Sequence, residues 1–200
     1  MGVFLASVAA PPFCSSLEAH RVYCLAGLDA QKKEQPVETE NVLRHHVVNL
    51  LRGGQASMTF DQAIAAFPME RINDTALHVP YSPWALLEHL RRTQFDILDF
   101  MRNPAYQERR WPDDYWPSPG TTADATTWAA TIAAFRADHQ TLRDLALDTA
   151  TDLFATIPHG SGQTILRELL LAANHNAYHT GEFAILRQVM QTWPANHGNP

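Results

Sequence analysis

Cysteine is nearly absent. Two occur in 200 residues, Cys14 and Cys24, both near the N-terminus. Ten residues apart, they are able to bridge but cannot frame the rest of the chain, so a disulfide-stapled secreted domain is excluded. No apolar run is long enough to cross a bilayer, so no membrane partner is expected. Positive charge is in deficit: 15 Lys and Arg stand against 21 Asp and Glu, a formal net charge of −6. Broad nucleic-acid binding needs a basic surface and is not expected. No stretch alternates apolar and polar residues long enough to read as a strand, and no internal repeat is visible.

Several signatures are also missing. There is no Gly-x-Gly-x-x-Gly, and Gly160-Ser161-Gly162-Gln163-Thr164 lacks the lysine of a phosphate-binding loop. There is no Gly-x-Ser-x-Gly elbow. A zincin protease needs Glu directly after its first His, where this chain has Asn176. A di-iron bundle needs two Glu-x-x-His pairs, but Leu171 follows Glu168 and Arg91 follows Glu88 at that spacing.

What is present is a globular composition, 46% hydrophobic and 18% charged, enough for one domain with an extension. Residues 1–36 read as a poorly ordered extension. Met1–Leu17 has no charged side chain, and no basic segment precedes its apolar start as a secretory signal requires. The protein is therefore expected in the cytoplasm. From residue 37 to 194 the pattern is helical, followed by a tail over 195–200. Glu38–Arg52 carries aliphatics, Val42, Val48 and Leu51 among them, at spacings near three and four, and Gly53-Gly54 ends it. A short helix is expected over Thr59–Phe67, stopped by Pro68. Ser82-Pro83-Trp84 starts a long helix to about Arg102, with a serine cap and proline in the first turn. Thr122–Leu147 and Gln163–Trp193 give two more. The expected fold is all-α, a four-helix bundle with one short extra helix.

Histidine is abundant, at 10 residues, which points to metal or acid–base chemistry. His175 and His179 are four apart, so on a helix both imidazoles stand on one face and can reach one ion; the alternative is a solvated pair. His89, in the apolar Trp84–Leu90, is the leading third ligand, against a buried hydrogen-bonded core histidine. Three neutral nitrogens would leave open positions on the ion, as catalytic sites need. His139 is the reserve ligand. Tyr178, between the pair, is read as either packed in the core or a catalytic hydroxyl. Glu182, about one turn from His179, is read as a carboxylate that coordinates or acts as base, or as a surface residue.

Ser82-Pro83-Trp84 with Glu88-His89-Leu90, together with His175-Asn-Ala-Tyr-His179-Thr-Gly-Glu182, resembles the DinB superfamily over roughly Val37 to Trp193. The resemblance implies a bundle whose long connections cross over. It also implies a divalent metal held by His89, His175 and His179. Characterised branches include thiol-dependent S-transferases and isomerases. Asn174 and Glu182 depart from an acidic residue and a glutamine common in relatives. The reading that follows is a metal-dependent protein, zinc or nickel being expected. It would activate a small-molecule thiol, as thiolate, against an electrophilic substrate. A non-catalytic metal-binding stress-response protein and a water-activating hydrolase are the alternatives. A homodimer is compatible with the apolar faces.

The long loop Asn103–Gly120 leaves its helix about 20 Å from the helix start at 1.5 Å per residue. Its aromatics are therefore expected to cover a bundle end rather than to reach the site. Arg71, His78 and Tyr81, which enter at the site end, are expected to line its mouth.

Overall fold

The structure, a computed structural model, describes residues 37–195. The expected extension over 1–36 with Cys14, Cys24 and His20, and His197 in the tail, lie outside the described residues. The chain divides into two compact units, Met1–Asn41 and Val42–Pro200. Of the first, only residues 37–41 are described, and they are helical.

The described residues are all-helical, with no strand. α1 covers 37–52, α2 Phe60–Ile64, α3 Pro83–Arg102, α4 Ala125–Leu147 and α5 Ile165–Met190. A single 3-10 turn lies at Met69–Arg71. The caps explain the boundaries. Gly53 and Gly54 take φ of 69° and 81°, a left-handed turn that closes α1. Thr59 and Gln62 form a reciprocal capping box on α2. Ser82 Oγ accepts from the Ala85 amide, and Pro83 fills the first helical position. α4 begins three residues later than the periodicity suggests, because Asp124 caps it through the Thr127 amide. α5 ends at Met190 rather than Trp193. Gln191 turns left-handed, and Trp193, preceding Pro194, is disfavoured from helix.

Two core clusters fix the helix directions. One joins Val47, Val48 and Leu51 of α1 to Ile97, Leu98 and Met101 of α3, Leu142 and Ala146 of α4, and Leu169 and Ala172 of α5. The other joins Ala63, Ile64 and Phe67 to Trp84 and Leu87 of α3, Trp128 of α4, and Phe183, Leu186 and Met190 of α5. α3 and α4 both run from the second cluster to the first, and α5 runs back. The consecutive helices α3 and α4 are thus parallel, and the connection between them must return along the bundle. Val42, expected on the apolar stripe of α1, is instead 51% exposed; Leu43, one residue on, packs against the core.

Arg187 of α5 is fully buried. It donates to the carbonyls of Ala63 at 2.8 Å, Ala65 at 2.7 Å and Thr192 at 2.8 Å, and stacks on Trp193. It ties the end of α2 and the end of α5 into one piece. Arg187→Met should cost about 3 kcal/mol or more, since an orphaned buried acceptor costs roughly 1–3 kcal/mol. Urea denaturation measures this; a loss under about 1 kcal/mol would mean that water reaches the freed carbonyls.

Candidate metal centre

α3 and α5 pack side by side, and between the two core clusters their apolar contact is interrupted by histidines. His89 is 2% exposed. The Nε2 atoms of His89 and His179 lie 3.2 Å apart, and those of His89 and His175 3.3 Å apart. Ligand atoms of all three lie within 4.8 Å of one another, and no other such group of His, Cys, Asp or Glu occurs among the described residues. A tetrahedral ion with bonds of about 2.0–2.1 Å would set its nitrogens roughly 3.3 Å apart, close to this spacing.

The outer nitrogens decide what the inner ones offer. His89 Nδ1 is 3.1 Å from the Tyr115 carbonyl oxygen. A carbonyl only accepts, so the proton sits on Nδ1 and Nε2 carries a lone pair. His179 Nδ1 is 2.6 Å from Glu182 Oε2, which fixes the same tautomer. With both rings neutral, two lone pairs therefore face each other at 3.2 Å. Neither ring can donate to the other, and a cation placed between them satisfies both. His175 differs: its Nδ1 is buried and faces no carbonyl or carboxylate, and the amide nitrogen of its neighbour Asn176 donates to Gln94.

Burial also holds the rings of His89 and His175 neutral, as ligands must be. His89 is pushed down to about 4, by burial first, against the opposing hydrogen bond to Tyr115. His175 is pushed down to about 3, by burial and then by its two histidine neighbours.

An aromatic wall closes one side. Trp116 stacks on His89 with centroids 4.0 Å apart and planes 3° from parallel. Tyr81 stacks on Trp116 at 5.3 Å, and its hydroxyl donates to Glu182. This corrects the expectation that the long loop stays clear of the site. Its starting point is remote, but 14 residues from Arg102 to Trp116 can span over 40 Å when extended, at roughly 3.3 Å each. The parallel arrangement of α3 and α4 obliges them to come back. The density of aromatics in that loop was the signal available in the sequence.

The remaining candidates fall as follows. Tyr178 is 67% exposed, which overturns the core-packing reading; its ring stands edge-on to His179 at 4.8 Å. Glu182 touches His179 and Tyr81. His139 is not drawn into the cluster: it bonds the Leu51 carbonyl oxygen at 2.8 Å and packs on Phe135. Of the three mouth residues Tyr81 reaches the site, Arg71 pairs with Asp74, and His78 is exposed at φ 66°. Beside Tyr81 and Trp116 opens a cleft of about 540 Å³.

A helical bundle with three converging imidazoles fits a metal-binding protein. The family model for the DinB superfamily matches residues 54–183, a span that includes all three histidines, and the chain belongs to that superfamily. No curated protein and no solved structure matches it. No helix among the described residues is long and apolar enough to cross a membrane.

The neutral histidines have a consequence for metal-free protein. Unfolded, both would titrate near the ordinary 6.5; folded, they stay neutral to about 4 and about 3. Above pH 6.5 they impose no penalty, and as pH falls from there towards 4 the unfolded chain binds protons the native state refuses. Stability should fall across that window more steeply in wild type than in a His89→Gln, His175→Gln double variant. Denaturant titration at stepped pH measures the difference, and parallel curves would refute the assignment.

Proposed function

We propose that this protein is a metal-dependent enzyme of the S-transferase type, with His89, His175 and His179 holding one zinc or nickel ion through Nε2. The observation that carries the metal reading is the opposed pair of lone pairs on His89 and His179. When bound, the ion would hold a thiol sulfur and lower its pKa, so that the thiolate predominates near neutral pH.

The protein residues take the remaining roles. The Tyr115 carbonyl and Glu182 orient two of the three imidazoles. Glu182 is assigned to that task rather than to general base, since one oxygen is taken by His179 and the other by Tyr81. Trp116 and Tyr81 exclude water from one flank. Tyr178, exposed at the rim, is the hydroxyl an incoming substrate would meet. The thiol gives up its proton to solvent; its sulfur then bonds to the electrophilic carbon, and the leaving group departs with the bonding pair.

The adjoining cleft supports a small substrate. Its volume is in the usual range for such ligands, and its lining, which includes Asn73, Thr75, Pro80, Ser118 and Thr121, contains no charged side chain. An uncharged electrophile fits there better than an anionic one.

Untagged protein should carry about one ion per chain by mass spectrometry, and His89→Ala should lose it. With metal loaded, disappearance of free thiol should require both a low-molecular-weight thiol and an alkylating electrophile. Tyr178→Phe should slow turnover without changing metal content. Metal without turnover across thiols and electrophiles would favour a non-catalytic metal-binding protein. Absence of metal even after reconstitution would remove the reading altogether.

A further inference from the structure

The connection between α3 and α4 is fastened to α3 at successive turns. Glu88, Arg92 and Asp96 are spaced four apart and so share one stripe of the helix. Arg92 Nη1 donates to the Trp116 carbonyl at 2.8 Å, while its Nε donates to Glu88 Oε1 at 2.8 Å. Glu88, itself buried, also pairs with Arg91 at 2.7 Å. One turn further, buried Asp96 accepts the Tyr115 hydroxyl at 2.7 Å and the Tyr106 hydroxyl at 3.1 Å. Arg109 pairs with the same carboxylate at 3.1 Å. Three groups of one connection thus converge on a single carboxylate on α3. Burial, reinforced by that charge, pushes the Tyr106 hydroxyl up to about 12.

These fastenings hold the two residues that touch His89. Tyr115 is gripped by its hydroxyl and presents its carbonyl to His89 Nδ1; Trp116 is gripped by its carbonyl and presents its indole to the ring face. The Thr93 hydroxyl also lies 3.5 Å from His89 Nδ1. A hydroxyl both donates and accepts, so it cannot select a tautomer, whereas a carbonyl can. We propose that Glu88, Arg92 and Asp96 form a clamp that seats Tyr115 and Trp116, and that the seated Tyr115 carbonyl sets His89 in the Nδ1–H tautomer with its Nε2 lone pair directed into the cluster. Asp96 and Arg92 are then positioning residues, with two residues between each of them and any ion. Their effect on metal affinity rests on the metal-binding reading; their effect on the tautomer does not.

The test uses the full-length chain with Tyr115→Phe, which removes one hydroxyl and keeps the carbonyl, and with Asp96→Asn. In metal-free protein, 15N imidazole shifts report which nitrogen of His89 carries the proton. Wild type should show Nδ1–H, and both variants a mixture of tautomers. Zinc affinity, by chelator competition, should fall about tenfold or more, as loss of an orienting partner commonly produces. The visible spectrum of the cobalt-substituted protein should change with it. A lower melting temperature with unchanged tautomer, affinity and cobalt spectrum would overturn the proposal and leave the clamp a mere fastening of the loop. If wild type takes up no zinc while the tautomer still shifts in the variants, the metal reading falls and the clamp stands.

Discussion

The structure turns on one unfavourable contact: two imidazole nitrogens, each with its lone pair forward, held 3.2 Å apart. Neutral histidines do not choose this arrangement unaided. It persists because both outer nitrogens are committed elsewhere, to a carbonyl on one side and a carboxylate on the other. The contacts close into a circuit. His89 stacks on Trp116, Trp116 on Tyr81, Tyr81 bonds Glu182, Glu182 bonds His179, and His179 faces His89 again. Buried polar groups cost free energy unless satisfied, so a circuit satisfied everywhere except at its centre points to what the centre is for.

The bundle around that circuit is built from buried polar groups as much as from apolar ones. Arg44 donates to the carbonyls of Ala146, Asp148 and Thr151 at the end of α4, as Arg187 does at the ends of α2 and α5. Asn176 donates to Gln94, which donates to the Phe135 carbonyl, linking α5, α3 and α4 in one line. Asn176 stands where a zincin would carry its glutamate. Here that position faces the interior and is spent on helix registry, consistent with a site whose chemistry does not use a base there.

Much of this was legible in the sequence because it depends on local rules. Ser82-Pro83 marks the start of α3 by capping geometry, and Leu87, Leu90, Gln94, Ile97, Leu98 and Met101, at helical spacing along it, are all buried. The convergence of His89, His175 and His179 could be anticipated from a four-residue spacing plus one apolar helix. The second circle of residues could not. Tyr115 contributes a backbone carbonyl, which leaves no mark in side-chain chemistry. Trp116 reaches His89 only because α3 and α4 run parallel, a property of topology rather than of any local stretch. Tyr178 misled in the opposite direction, since a residue between two inward-facing histidines diverges about 60° from the first and about 100° from the second, and here that direction is solvent.

The three imidazoles are therefore not equivalent. His89 and His179 are set by hydrogen bonds that specify both ring orientation and tautomer. His175 has no carbonyl or carboxylate on its outer nitrogen, and its Nε2 lies 3.3 Å from that of His89. An ion bound by all three would draw strong orientation from two ligands and less from the third, leaving the His175 side as the more yielding wall of the site. In the proposed reaction an incoming thiol would take one of the ion's open positions. On that reading the adjustment would fall to His175, whose outer nitrogen has no carbonyl or carboxylate to hold it, while the Tyr115 carbonyl and Glu182 hold the other two rings. Two firmly oriented ligands and one less constrained would let an ion change its coordination, as the proposed transfer would require.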